Sequence, residues 1–323
     1  MTLRVGLSAV IVAVIDGAPH VLATRGSGDS PDGLPFGPFD PESHRTFELG
    51  LRDWVSAQTG FDIGYVEQLY TFGDRGRELP TARLDDNSPE ERVISVGYLA
   101  LTPEATEIGA FDAVWRDWYR FFPFEDHREG PPEIIERDIA PALRDWAEKG
   151  DTTPARQERW VRACLAFGLE GRSWIEERVL ERYELLYEAR LVPEAARDEG
   201  QPLTAPLGAR HTGTPMRSDH RRILATAMAR LRGKLKYRPV IFELMPDAFT
   251  LSALQEAVEG ILGLRLHKQN FRRALDKSGF VEGLGSFETA TGGRPAERFR
   301  FKREILSRKA ISGIQTPQKR TET

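Results

Sequence analysis

Phe249-Thr250-Leu251-Ser252-Ala253-Leu254-Gln255 begins the stretch that decides the fold, and Asn270-Phe271-Arg272-Arg273 and Gly292-Gly293-Arg294-Pro295 follow it. Thr250 is a good helix N-cap, and apolar residues recur behind it on one helical face. Gly263 ends this helix, because glycine readily takes the left-handed conformation after a last helical turn. A second helix is predicted near 267–278, and Gly279 closes it.

The second helix has one apolar and one polar face. Phe271 and Leu275 are predicted to face inward, which leaves the polar residues Lys268, Gln269, Asn270, Arg272, Arg273 and Lys277 outside. Such side chains match base edges and phosphates. Asn270 keeps two interpretations, because it either reads a base or caps the backbone beside Phe271.

A glycine-rich hairpin follows the second helix. Residues 280–282 and 297–301 are predicted as its strands, with Arg294 near the tip. Alternation places Phe299 and Phe301 on one face and Arg298, Arg300 and Lys302 on the other. Helix, turn, basic helix and hairpin is the order of a winged helix-turn-helix that inserts one helix into the DNA major groove. The alternative is a small α/β module that binds protein or dimerises.

The charge distribution agrees with a DNA-binding C-terminal part. Residues 234–323 contain 17 Lys and Arg against 10 Asp and Glu, so this part is +7 while the whole chain is −4. The remaining residues therefore carry −11. A basic domain attracts phosphate and releases counterions from DNA. A solvated face with uneven charge is the alternative explanation.

Composition sets outer limits on the function. The 323 residues, 40% of them hydrophobic, suffice for two domains with their own cores. The single cysteine, Cys164, excludes an internal disulfide and a cysteine-only zinc site, and it fits a cytoplasmic protein. Cys164 is expected to be buried. Neither a zinc site nor a membrane span is expected, because the six histidines have no metal-ligand spacing and no apolar run reaches roughly 18 residues.

The first part of the chain alternates strands and helices. Residues 3–24 are predicted as a hairpin around Asp16-Gly17, 45–59 as a helix ending at Gly60, and 66–72 and 93–101 as strands. Helices are predicted throughout 110–198, where five of the six tryptophans lie, Trp115 and Trp118 among them. Residues 199–217 are predicted as a linker, and a long helix is predicted from Asp219 to Lys236.

These motifs resemble a known family in their order along the chain. Leu34-Pro35-Phe36-Gly37 with Gln58-Thr59-Gly60-Phe61 resembles the Nudix box region, and 67–74 with 92–101 resembles the ADP-ribose-type Nudix branch. Together with Ser218-Asp219-His220 and the C-terminal module, they resemble the Nudix-related transcriptional regulators of NAD metabolism, in their alphaproteobacterial branch. The resemblance covers most of residues 1–111 and 215–303.

The resemblance implies the fold class and the domain organisation. The predicted fold is α+β or α/β, with a Nudix-like mixed sheet and helices followed by a winged helix-turn-helix. The expected domains are a ligand-sensing domain at 1–217 with a helical insertion at about 110–198, a connecting helix at 218–236, a DNA-binding domain at 237–303 and a disordered tail at 304–323.

The Nudix catalytic pattern is missing from the predicted helix. With Gly60 as its last glycine, Asp53-Trp54-Val55-Ser56-Ala57-Gln58-Thr59 occupies the place of Arg-Glu-apolar-x-Glu-Glu-x, and residues 49–61 contain no Glu. Those glutamates would hold Mg²⁺, which requires oxygen ligands. We therefore expect no enzyme activity, no catalytic residues and no catalytic cofactor.

A Nudix pocket without its metal can still bind a nucleotide. We expect arginines to pair with phosphates and tyrosines to stack on an adenine, since these groups suit those contacts. The candidate ligand-binding residues are Arg45, Arg52, Tyr70, Arg75, Arg77 and Tyr98. Each of them has a structural alternative as a surface arginine or a core tyrosine.

The sequence therefore predicts a ligand-responsive regulator, a repressor of NAD biosynthesis or salvage genes. Its expected effector is ADP-ribose, NAD or ATP, and its expected partners are double-stranded operator DNA and a second copy of itself. Two alternatives stay open. One is an active Nudix pyrophosphohydrolase of the ADP-ribose type with a DNA-binding tail, and the other is a nucleotide-sensing scaffold that binds protein.

Overall fold

The fold is described from a computed structural model over residues 2–26, 30–74, 91–103, 105, 112–200, 212–288 and 295–304. The strands are β1 (Thr2–Ile15), β2 (Ala18–Thr24), β3 (Phe36–Pro38), β4 (Tyr65–Phe72), β5 (Glu91–Leu101), β6 (Ala113–Asp117), β7 (Phe249–Thr250), β8 (Val281–Glu288) and β9 (Ala296–Phe301). The α-helices are α1 (Phe47–Thr59), α2 (Ala140–Glu148), α3 (Thr153–Phe167), α4 (Val179–Glu188), α5 (Pro193–Asp198), α6 (His220–Leu235), α7 (Leu251–Leu262) and α8 (Lys268–Ser278).

Strand β1 is the centre of the larger sheet. The strand order is β4-β5-β1-β2-β6, and β3 pairs with β1 as well. Strands β1 and β5 run parallel, while the other neighbours are antiparallel. The β1–β2 hairpin turns at Asp16 and Gly17, which both have positive φ, as the Asp-Gly signal predicted. Residues 6–13 of β1 are buried because both faces of the sheet are covered there.

Two layers cover the sheet. One face packs against α1 through a cluster that includes Leu51, Val55 and Tyr98. The other face packs against α6 and the helical segment through a larger cluster that includes Val12, Leu99 and Leu224. The mixed sheet with helices and a following winged helix confirms the predicted fold class.

The helical prediction for 110–198 is wrong at its start. Residues 113–117 form β6, which pairs with β2, so Trp115 lies in a strand. Aromatic spacing alone could not separate a strand followed by a 3₁₀ turn from a helix. The helical segment begins at Trp118, and it buries Trp118, Phe121, Phe122 and Phe124 completely. Cys164 is buried there, as predicted, and burial raises the pKa of its thiol.

Helix α6 packs on the face of the sheet opposite α1 and connects the two parts of the chain. At its first residue, the Leu34 N–H donates to Nδ1 of the buried His220. Near its end, Lys234 contacts the Tyr65 hydroxyl at 3.1 Å and the Glu67 carboxylate, both on β4. None of the described helices is long and apolar enough to cross a membrane.

The C-terminal part has the predicted winged helix-turn-helix order. Thr250 caps α7 by accepting from the Ala253 N–H at 3.1 Å, and Gly263 and Gly279 close α7 and α8 with positive φ. Phe271 and Leu275 point inward and are buried. Strands β7, β9 and β8 form a small sheet, whose Phe301 stacks on Phe242 at 4.2 Å.

The winged helix packs against the larger sheet and is not joined to it by a flexible linker alone. A single apolar cluster runs from Val10 of β1 through Leu231 of α6 to Ile261 of α7. At the closest approach, Gly260 of α7 faces the carbonyl of Gly17 in the β1–β2 turn so tightly that a Cβ on Gly260 would overlap that oxygen. The docking therefore requires glycine at position 260.

Gly260→Ala should lower the free energy of unfolding by about 2 kcal/mol, because overpacking costs ~1–3 kcal/mol and the helix propensity of alanine returns at most ~1 kcal/mol. Urea denaturation at pH 7 measures this change. Gly64→Ala is the control, since a Cβ at Gly64 meets no atom within 4 Å. Equal stability of the two variants would contradict the docking.

Candidate functional site

Helix α1 ends at Gly60 and carries the positions that the sequence aligned with the Nudix box. Here Gln58 forms a paired contact with Phe36 of β3: its Oε1 accepts from the Phe36 N–H at 3.1 Å, and its Nε2 donates to the Phe36 carbonyl at 2.6 Å. Trp54 donates from Nε1 to the Pro38 carbonyl at 2.8 Å, and its ring lies against Gly37. The substituted positions of this helix therefore hold β3 in place.

Both carboxylates of α1 contact a neighbouring side chain, and Asp53 lies 3.8 Å from Nε2 of His44. Glu48 accepts from Arg52 at 2.8 Å, one helical turn away. No group of three or more His, Cys, Asp or Glu in the described ranges could hold a metal ion. The donor set that the Nudix fold family uses for Mg²⁺ does not fit Trp54, Ala57 and Gln58, since none of them supplies a carboxylate.

Only some of the predicted ligand-binding residues lie together. Arg52 clamps the loop after α1 by donating to the carbonyls of Ile63 and Gly64. Tyr98 is buried on the same face of the sheet, where burial and then the charge of Glu48 raise the pKa of its phenol. These contacts give Arg52 and Tyr98 structural roles on the α1 face of the sheet.

The other predicted ligand-binding residues do not lie together on one face of the sheet. Arg45 is exposed just before the Thr46 N-cap of α1, so its guanidinium is available at the rim of this face. Tyr70 is 62% exposed, and its ring meets Phe72, which belongs to the opposite face of the sheet. Arg75 and Arg77 lie outside the described residues.

Helix α8 presents a polar face beside the wing. Lys268, Gln269, Arg273 and Lys277 are exposed, whereas Asn270 and Arg272 are half-buried. Within the described part of the chain, no acidic partner pairs with Lys268, Arg273 or Lys277. Arg272 lies 3.5 Å from the Ser252 hydroxyl at the start of α7. The outward positions predicted from the sequence therefore form one basic surface.

The predicted arginines of the wing are less available for DNA than the cations of α8. Arg300 is exposed but forms an ion pair with Glu282 of the neighbouring strand β8. Arg298 is half-buried and lines a groove of about 790 Å³ between the winged helix and the β1–β2 turn, together with Asp16, Glu256 and Glu288. Arg294 lies outside the described residues. The basic surface accordingly centres on α8.

Sequence reasoning missed a buried charge cluster at the junction of the two parts. Glu125 is fully buried and accepts from Arg182 at 2.6 and 2.9 Å and from Arg232 at 2.6 Å. Burial opposes ionisation of Glu125, but the charges and hydrogen bonds of the two arginines outweigh it and lower the pKa of this carboxyl. Glu125, Arg182 and Arg232 lie far apart in the sequence, so no local pattern predicts that they meet.

Comparison with known proteins identifies the C-terminal domain. Residues 241–301 match the family model of the NrtR DNA-binding winged helix domain. The ADPR responsive transcriptional repressor NtrR of Acinetobacter baylyi is 45% identical over 83 residues, which are 26% of this chain. The match spans only 33% of the length of that curated relative.

Solved structures resemble nearly the whole chain. Shewanella oneidensis NrtR, in complex with a 27mer DNA, aligns over 97% of this chain and 99% of its own at 19% identity, with a TM-score of 0.55. A MutT/nudix family protein from Enterococcus faecalis aligns over 94% of this chain and 87% of its own at 16% identity, with a TM-score of 0.50. At these identities the likeness concerns the fold. The predicted Nudix-like fold followed by a winged helix-turn-helix is confirmed, and the winged helix matches the NrtR type.

Gln58→Glu should lower the free energy of unfolding by about 1–3 kcal/mol, because a carboxylate cannot donate to the Phe36 carbonyl and leaves it unpaired. Chemical denaturation at pH 7 measures the change. Ala57→Glu is the matched control, since it adds the same charge at an exposed neighbouring position and should stay within about 0.5 kcal/mol of the original protein. Equal losses in both variants would show that the paired contact contributes nothing.

Proposed function

We propose that this chain is a ligand-responsive transcriptional repressor of genes for NAD biosynthesis or salvage. The observation that carries the proposal is the unpaired basic surface of α8, which lies inside the region that matches the NrtR DNA-binding winged helix domain. Insertion of α8 into the major groove would bring its side chains to base edges and phosphates together.

The proposed DNA-contacting residues of α8 fall into two groups by their chemistry. Lys268, Arg273 and Lys277 are exposed cations that suit phosphates, and Gln269 and Asn270 carry amides that suit adenine. Arg272 sits between α8 and the start of α7, where it can approach a phosphate near Ser252. Arg298, Arg300 and Arg294 complete the proposed set on the wing, and Arg300 must share its charge with Glu282.

The proposed effector is an adenine nucleotide of NAD metabolism, with ADP-ribose before NAD and ATP. The support is a relative named as ADPR responsive, together with the exposed Arg45 at the rim of the α1 face, which Arg52 and Tyr98 shape through their structural contacts. Tyr70, Arg75 and Arg77 remain candidates for the same ligand. We propose binding without turnover, because Gln58 and Trp54 serve β3 and no carboxylate replaces them.

The proposed active form is a homodimer. Operators with two-fold symmetry need two reading helices at a fixed spacing, and a pair of identical chains supplies them. A ligand would then change operator affinity by favouring one arrangement of the two winged helices.

Arg273→Ala should weaken binding to the chain's own promoter region roughly tenfold at low salt and reduce the salt slope by about 1, because one phosphate contact and its counterion release are lost. Fluorescence anisotropy across a salt series measures both quantities. Lys149→Ala is the control, since Lys149 is an exposed cation at the end of α2, away from the proposed DNA surface. Unchanged binding in Arg273→Ala, or an equal loss in both variants, would contradict the proposed surface.

Saturating ADP-ribose should change operator affinity by about five- to 150-fold, and operator DNA should change ADP-ribose affinity by the same factor, since coupling is reciprocal. Anisotropy and calorimetry in the presence of Mg²⁺ measure the two factors, with NAD and ATP in parallel. Chromatography of the same samples should recover ADP-ribose intact.

Two results would overturn the proposal in different ways. Cleavage of ADP-ribose at an enzymatic rate would favour a Nudix hydrolase with a DNA-binding tail. DNA binding that never appears, even at low salt, would favour a nucleotide-sensing scaffold that binds protein.

A further inference from the structure

The last carbonyls of α7 are satisfied by residues from outside the winged helix. Tyr119 donates its hydroxyl to the Gly260 carbonyl at 2.7 Å, and Arg232 Nε donates to the Ile261 carbonyl at 2.9 Å. The His127 N–H donates to the Gly263 carbonyl at 2.8 Å. The end of a helix leaves several carbonyls without partners, so these three donors hold the end of α7 in place.

Two of these donors, Tyr119 and Arg232, belong to segments fixed by the Nudix-type sheet. Tyr119 follows β6 by two residues, and the Asp117 carboxylate at the end of β6 accepts from its N–H at 2.8 Å. Arg232 lies on α6, two residues before Lys234, which contacts Tyr65 and Glu67 of β4. A shift of either strand relative to the winged helix therefore reaches the end of α7 directly.

The charge cluster behind these donors depends on α7. Glu125, Arg182 and Arg232 are all fully buried and together carry one excess positive charge. The carbonyl end of a helix carries a partial negative charge, which suits that excess. If α7 moved away, the Tyr119 hydroxyl and Arg232 Nε would lose buried partners, which is costly in a closely packed interior.

The packing at this point leaves no room for small adjustments. A Cβ on Gly263 would overlap the Glu125 carbonyl oxygen and crowd the Tyr119 hydroxyl, and a Cβ on Gly260 would overlap Gly17. Packed interfaces of this kind switch between discrete arrangements instead of deforming continuously. The contact between α7 and the sheet is thus suited to two defined positions of the helix-turn-helix.

We propose that Tyr119 and Arg232 are positioning residues for DNA recognition, through which the sheet sets the placement of α7 and thereby of α8. This inference rests on the proposed function, because it assigns the coupling between effector and operator to these two side chains. Neither residue touches the proposed DNA surface or the α1 face. They contact α7 at the carbonyls of Gly260 and Ile261.

The test compares Tyr119→Phe with Tyr187→Phe in the full chain. Tyr187 lies on α4 and donates to Asp198 at 3.0 Å, so its variant loses a partly buried hydrogen bond without touching α7. Hydrogen exchange without any ligand is measured first, over residues 251–267. Tyr119→Phe should exchange about fivefold faster near the end of α7, as the loss of one hydrogen bond allows, and Tyr187→Phe should match the original protein there.

The coupling between effector and operator is measured next. The factor by which ADP-ribose changes operator affinity should become about three- to tenfold smaller in Tyr119→Phe, because one hydrogen bond is lost. The affinity for ADP-ribose itself should change less than about twofold. Arg232→Lys, which keeps the charge beside Glu125 but cannot also reach the Ile261 carbonyl with a second nitrogen, should shift this factor the same way.

The outcomes separate this inference from the proposed function. Unchanged exchange in Tyr119→Phe, an unchanged coupling factor, or the same loss in Tyr187→Phe overturns the positioning role. If ADP-ribose leaves the operator affinity of the original protein unchanged, that result contradicts the proposed function. It overturns the coupling role as well. In that case, faster exchange near the end of α7 would still support the structural part of the inference.

Discussion

A single buried carboxylate, Glu125, joins three separate parts of the chain. It lies on the short 3₁₀ turn after the sheet, and it holds Arg182 of the helical segment and Arg232 of α6. Burying these charges costs several kcal/mol for each ion, so the arrangement persists only while every hydrogen bond is formed. Arg232 completes its set at the Ile261 carbonyl, which belongs to α7. The winged helix is thus part of the environment that makes the cluster stable.

The cluster also explains why the helical segment is present. The segment supplies Arg182 from α4, the carbonyl of Ala166 from α3, and the carbonyls of Ile175 and Glu176 from the turn between them, all of which bind within the cluster. Trp174 covers the Arg182 guanidinium at 3.7 Å and excludes water from one side. The segment therefore supports the junction between the sheet and α7. The stability that ionised Glu125 contributes is present at neutral pH and is lost as the pH falls through the lowered pKa of this carboxyl.

Local signals predicted the parts of the fold that depend on neighbouring residues. Thr250, Gly263 and Gly279 mark helix ends in the sequence and in the structure, and Phe271 and Leu275 face the core as their spacing indicates. The assignment of Trp115 to a helix was wrong, because aromatic spacing does not separate a strand and turn from a helix. Within the site, sequence reasoning found the lost Nudix carboxylates but not the use of Gln58 to hold β3. It also missed Glu125, whose partners lie 57 and 107 residues away.

The central claim is that the sheet, the helical segment and the winged helix share one interior through Glu125. Urea unfolding at pH 7 tests it directly. All six tryptophans precede residue 175, so their emission reports on the sheet and the helical segment. Pulsed hydrogen exchange over residues 251–278 reports on the winged helix. A common midpoint for the two signals is the predicted result. A winged helix that loses protection at lower urea than the tryptophan transition would contradict it.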